Sequence, residues 1–232
     1  MRALEPAASG YVERGDGRLH WELFGAGEQT IVLLPTWSIV HSRFWKMQVP
    51  FLARQARVLT IDGRGNGLSD RPTDPAAYGD WESAANVLAV MDATGTERAA
   101  LVSLSLGARA GLILAAEHPE RVTAAAFIGP SAPLAEGNPL RDAVMTAFDV
   151  ERDSYTGWEK YNSNYWRQDL RGFLEFFFET ALPEPHSTKP LEDMVGWAEE
   201  TTAEVLIATH EAPGMDQAMA LDLARRIRCP VL

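Results

Sequence analysis

Leu101-Val-Ser-Leu-Ser-Leu-Gly-Ala-Arg-Ala-Gly111 is the stretch on which the reading of this chain turns. Its first half is a short apolar run of the kind that forms a strand buried on both faces. Its second half opens an apolar helix running from Leu106 to His118 and stopping before Pro119. Ser105 falls at the junction. A side chain on so sharp a strand-to-helix bend needs small residues two positions to either side, because the two backbones approach closely there. Ser103 and Gly107 meet that need. Such a bend lifts a hydroxyl out of the sheet and points the first amides of the helix, beginning with Leu106, at the same point in space.

The flanking sequence supplies the rest of a sheet. Upstream, Tyr11-Val-Glu-Arg14 and Arg18-Leu-His-Trp-Glu-Leu-Phe24 alternate about Gly15-Asp16-Gly17, which predicts a β-hairpin. Continuous apolar runs at Ile31–Leu34, Arg57–Ile61, Ala99–Ser103 and Val122–Ile128 predict buried parallel strands. Helical spacing falls between them, over Trp45–Gln55 and from Asp80, a candidate N-cap, to Gly95. The βαβα alternation predicts an α/β fold: a mostly parallel sheet with helices on both faces. From Pro133 to Arg228 the rhythm changes to an aromatic-rich stretch without strand runs, and Cys229-Pro-Val-Leu232 begins another apolar strand. The expected organisation is therefore an α/β core over 1–132, a helical cap insertion over 133–228, and the start of a further core strand over 229–232.

With these elements in order, the chain resembles the α/β-hydrolase family along essentially its whole length. Ser103-Leu-Ser-Leu-Gly107 is similar to that family's Gly-x-Ser-x-Gly nucleophile elbow. Ile61-Asp-Gly-Arg-Gly-Asn-Gly-Leu-Ser69, followed by Asp70-Arg71-Pro72, is similar to the family's loop after its fourth strand. The resemblance implies Ser105 as nucleophile, with the backbone N–H of Leu106 and one near Trp37, or Thr36 in a shifted register, as the oxyanion hole. Thr36, His41 and Trp166 are candidate pocket residues. In such proteins the loop at Asp62 is a rigid structural turn, its glycines supplying positive φ.

Three departures qualify the match. Ser103 replaces the first elbow glycine. Pro35-Thr36 stands where the family usually has His-Gly. The family places its acid after the strand that begins here at Cys229, and its histidine one strand later. The expectation is of a chain cut inside a core strand, with later strands missing and with acid and base supplied beyond Leu232 or by another chain. A serine hydroxyl needs a base to become a nucleophile, so the five histidines are weighed as substitutes. His118 lies at the far end of the elbow helix, roughly 18–20 Å from Ser105 at 1.5 Å per residue. His20 lies in the hairpin, His41 in the loop after the third strand, and His186 and His210 in the cap. His210 is the first to consider, because it alone lies downstream beside acidic residues.

Composition narrows the function classes. Of 232 residues, 46% are hydrophobic and 23% charged, enough apolar material for one large core and unlike a disordered chain. With 21 basic and 32 acidic residues the net charge is −11, which disfavours nucleic-acid and anionic-membrane partners. Cys229 is the single cysteine, so intrachain disulfides and Cys-rich zinc sites are excluded. No apolar run reaches the ~20 residues of a membrane span, and a cytoplasmic location is expected. Neither metal nor cofactor is expected. The favoured reading is a serine hydrolase acting on a small, uncharged or largely apolar ester, thioester or lactone. The rivals are a non-catalytic ligand-binding module that keeps the pocket, and an interaction scaffold or oligomer whose open sheet pairs with another chain.

Overall fold

The computed structural model of the chain describes residues 4–15, 17–184, 186 and 188–232. Six strands form one mixed sheet: β1 (Ala8–Arg14), β2 (Gly17–Phe24), β3 (Thr30–Leu33), β4 (Arg57–Ile61), β5 (Ala99–Leu104) and β6 (Val122–Ile128). Their order across the sheet is β1-β2-β4-β3-β5-β6. The hairpin β1–β2 and the pair β2–β4 are antiparallel, and the rest are parallel. Beyond β6, Val231 makes a parallel bridge to Ala125. The expected hairpin is present; its central residue, Asp16, lies outside the described residues.

The two-residue period of the strands sorts their side chains onto two cores. Val32, Leu59 and Leu101 face a core shared with α2 (Asp80–Ala93) and α3 (Gly107–Glu117). Leu33 and Val58 face the other way, onto Phe24, Trp45 and Val49. Helices thus cover both faces, as the buried runs require. α2 ends in a Schellman motif: Gly95 adopts φ +62°, its N–H donates to Asp92 O, and Thr96 N–H donates to Met91 O.

Three expectations are corrected locally. The helix expected over Trp45–Gln55 is a 3₁₀ turn, Ser42–Met47, running into a short α1, Gln48–Leu52. Pro50 has no N–H to give and is tolerated only in a first turn, so α1 has to start just before it. Asp80 is not an N-cap. Gly79 takes that position, and the Asp80 carboxylate instead accepts the Met215 N–H at 2.7 Å and faces Arg109 at 3.4 Å. The stretch 133–228 is helical, but not all of it stands apart from the sheet. α4 (Pro139–Thr146), α5 (Ser163–Ala181), α6 (Thr188–Ala198) and α7 (Ala203–Glu211) precede α8 (Gln217–Arg226), and α8 sends Ala220 and Leu223 into the sheet core beside α3.

α5, α6 and α7 enclose an aromatic core of their own, with Phe148, Trp166, Phe173, Leu174 and Phe178 packed around Ile39 from the loop after β3. α5 is two helices joined at Asp169, whose backbone leaves the helical region (φ −150°, ψ 73°). Its carboxylate accepts the Gly172 N–H at 2.9 Å and so caps the second segment. Among the described residues, no helix is long and apolar enough to cross a membrane.

Candidate active site

Ser105 is the one non-glycine residue with positive φ among those described, at +50°. A left-handed backbone costs a residue with a Cβ roughly 1–2 kcal/mol, so the surroundings have to hold it. They do so through three main-chain bonds: Ser105 N–H donates to Ile128 O, and Ser105 O accepts from Ala108 and Ser131. The side chain is exposed, and its hydroxyl makes no hydrogen bond to a described residue.

The small residues expected on either side have separate reasons. A Cβ on Gly107 would stand 2.4 Å from Pro35 O, so only glycine lets the β3 loop pass the start of α3. Ser103 is buried and bonds Ala126 O on β6 at 3.1 Å, while Gly111 gives it room one turn into the helix. A serine side chain is thus accommodated and hydrogen-bonded where a glycine was the family expectation.

The loop after β3 is braced against the elbow. Thr36 Oγ1 accepts the Gly107 N–H at 3.2 Å. Ser38 donates to Arg64 O, and Asn66 donates to Ser38 O. The Asp62 turn behind them is held in its own right. Burial pushes the Asp62 carboxyl up, but the hydrogen bond from His20, the charge of His41 and the Leu68 N–H outweigh it and hold the pKa at about 2. A Cβ on Gly67, at φ +58°, would collide with that carboxylate at 2.4 Å. Asp62 is therefore a brace, facing the hairpin and the loop amide.

A cavity of about 480 Å³ opens over Ser105. Trp37, Leu106, Tyr161, Phe177, Thr209 and His210 are among its walls. The backbone N–H groups of Leu106 and Trp37 donate to no described residue, and the Trp37 indole is fixed by a 2.8 Å bond to Thr209 Oγ1. The amides expected as oxyanion donors thus belong to residues lining the same cavity as the serine.

His41 and Trp166 do not line it. His41 is 4% exposed and held on the far side of its loop, within 3.5 Å of both Asp62 and Glu200 and bonded by Arg43. Burial lowers its pKa against the pull of those carboxylates. Trp166 is 1% exposed and lies behind the cavity wall, ring to ring with Phe148, Tyr161, Phe173 and Trp37. Both lie within reach of the right loop or helix in sequence but point the other way. Thr36 serves as a strut to α3 and borders a smaller neighbouring cleft.

Of the histidines described, His210 alone reaches this cavity. Its ring stacks on Phe148 at 3.6 Å, and its Nδ1 lies 3.3 Å from the Tyr161 hydroxyl. Burial lowers its pKa and raises that of Tyr161 to about 12, so near neutral pH both groups are uncharged. No hydrogen bond joins His210 to Ser105. Sequence reading missed Arg109 and Arg141 as cavity residues. Arg109 carried a signal, since it lies one helical turn after Ser105 and on the same face.

A family model described as the alpha/beta hydrolase fold matches residues 29–193. Among curated proteins, the chain is 34% identical over 134 residues to "Putative carbamate hydrolase RutD" of Variovorax paradoxus, covering 57% of this chain and 50% of that one. It is 38% identical over 96 residues to the 2-hydroxymuconate semialdehyde hydrolase of Pseudomonas sp. strain CF600, covering 40% of this chain and 34% of that one. The chain spans about half or less of the length of the curated relatives it matches. Among solved structures, a hydrolase from Pseudomonas aeruginosa superposes with a TM-score of 0.72 at 25% identity, covering 97% of this chain and 78% of that one.

Proposed function

This chain belongs to the α/β-hydrolase fold family, and from that premise we propose that it is a serine hydrolase that opens a small, largely apolar ester, thioester or lactone through an acyl-enzyme on Ser105. The observation that carries this reading is the strained backbone of Ser105 at +50°, exposed at the floor of a 480 Å³ cavity. Strain at an exposed polar residue, held by three main-chain bonds, marks a position where conformation serves chemistry. The hydrolase names of the curated relatives support the same class.

In this mechanism Ser105 Oγ adds to the carbonyl carbon while its proton passes to a base. Negative charge develops on the carbonyl oxygen and is met by the N–H groups of Leu106 and Trp37, each such donor being worth about 10²–10³ in turnover. Collapse breaks the bond to the leaving oxygen or sulfur, which takes the proton back from the base. It departs as alcohol or thiol, or stays tethered when a lactone ring opens, leaving the acyl group on Ser105. Water then adds to the acyl carbon and releases the acid and the serine. The helical segment from α4 to α7 acts as a cap, its aromatic walls excluding water from the adduct.

A fluorophosphonate probe applied to the full-length protein tests this directly, because it reacts with activated serines. The expected result is one adduct, mapped by peptide mass spectrometry to Ser105 and absent from Ser105→Ala. An adduct at another residue, or none, contradicts the reading and favours a ligand-binding module without a reactive serine.

A further inference from the structure

The cavity over Ser105 carries a charge pattern opposite to that of the chain. The protein has a net charge of −11, yet among the described residues no carboxylate lines this cavity, and its charged walls are Arg109 and Arg141. They arrive from different elements, α3 and α4. Arg109 is anchored: its Nε donates to Ser131 O at 2.9 Å, and Nη1 lies 3.4 Å from Asp80 Oδ2. That carboxylate oxygen also accepts the Met215 N–H, so it compensates the guanidinium only in part.

Arg141 has no ion-pair partner among the described residues. Asn138 fixes its place by capping α4, accepting the N–H of Leu140 at 2.9 Å and of Arg141 at 3.4 Å. Both line the cavity together with Tyr161, and both charges act on its phenol against the larger effect of its burial. Two cations lining one cavity repel each other. An anion set between them removes that cost, and guanidinium groups match the planar fork of a carboxylate.

We propose that the ligand of this cavity carries a free carboxylate in addition to its scissile carbonyl, held by Arg141 with Arg109 behind it. The substrate class is then a half-ester, half-thioester or lactone of a short dicarboxylic acid, with an apolar chain between its two ends. The apolar body expected from the sequence is kept and one charge is added. Which bond is cleaved rests on the Ser105 reading; the anion subsite does not.

The test compares binding of 4-phenylbutyrate and its neutral amide, 4-phenylbutyramide, by quenching of tryptophan fluorescence, since Trp37 and Trp158 line the cavity. A charge-assisted contact predicts that the acid binds at least about tenfold more tightly, a preference that shrinks as salt is raised. Arg141→Ala removes the preference and Arg141→Lys keeps most of it. Arg141 is exposed, so neither variant should disturb the fold, and circular dichroism checks this.

Equal affinity for acid and amide, no binding of either, or a preference that survives Arg141→Ala overturns the proposal. Labelling by an uncharged ethyl fluorophosphonate, measured on the same protein, separates the two readings. Ser105 labelled without acid preference sinks the anion subsite alone. An Arg141-dependent preference without labelling sinks the nucleophile alone.

Discussion

Ser105 and Gly107 face opposite demands from one bend. Ser105 holds a left-handed backbone despite its Cβ, whereas Gly107 cannot accept a Cβ at all. If strain at Ser105 is the cost of its position, then Ser105→Gly is more stable than Ser105→Ala by about 1 kcal/mol, the left-handed penalty less the extra freedom of glycine in the unfolded chain. Urea denaturation of the two variants measures this, and neither reacts with a fluorophosphonate. Gly107→Ala drives its methyl into the Pro35 carbonyl, backbone against backbone, and should cost about 2–4 kcal/mol. Both effects were half legible beforehand. The small-x-Ser-x-small spacing gave the bend, but not that Pro35 O is what excludes a side chain at 107. His41 and Trp166 were placed near the site by chain position. A sequence does not state which way a loop residue turns, and here the braces from Asp62 and Glu200 turn His41 away.

At the scale of elements, the strands were the most legible feature. A buried parallel strand is apolar on both faces, and such runs are scarce outside it. Helix positions were read less well where one residue outweighs the pattern, as Pro50 does in α1 and Gly79 does ahead of Asp80. The aromatic stretch was legible as helical, but its division of labour was not. Trp158, Tyr161 and Phe177 face the cavity, while Phe148, Trp166, Phe173 and Phe178 fill the helical core. Nor could the pattern of α8 say that its apolar face rests on α3, because amphipathic spacing identifies a face and not its partner. Phe173 joins the two sets. It is fully buried and lies edge-on to Trp37 at 6.1 Å. Phe173→Ala should cost about 3–5 kcal/mol and, by loosening Trp37, slow fluorophosphonate labelling. Urea melts and labelling rates on the same variant check both effects.

Across the whole molecule, the Asp62 turn ties the hairpin to the loop after β3, and Thr36 in that loop holds the elbow through the Gly107 N–H. His20 reaches it from β2, His41 from the β3 loop, and its neighbours Arg64 and Asn66 hold Ser38. With its pKa near 2 against an ordinary 3.8, the folded state binds the Asp62 proton more weakly than the unfolded chain does. Its contribution of about 2 kcal/mol is therefore complete above about pH 5 and is lost as pH falls through the unfolded value of 3.8 towards 2. Asp62→Asn lacks this dependence, so the stability gap between the two proteins should narrow by about that amount between pH 5 and pH 2 in denaturant titrations.

The central claim is that the exposed hydroxyl at the strained bend is acylated by substrate. The most direct measurement mixes the protein with p-nitrophenyl butyrate, quenches it in acid within the first turnover, and maps the butyryl group by peptide mass spectrometry. The account predicts a butyryl ester on Ser105. Release of p-nitrophenol with the acyl group on any other residue, or with no acyl-protein formed, would contradict it.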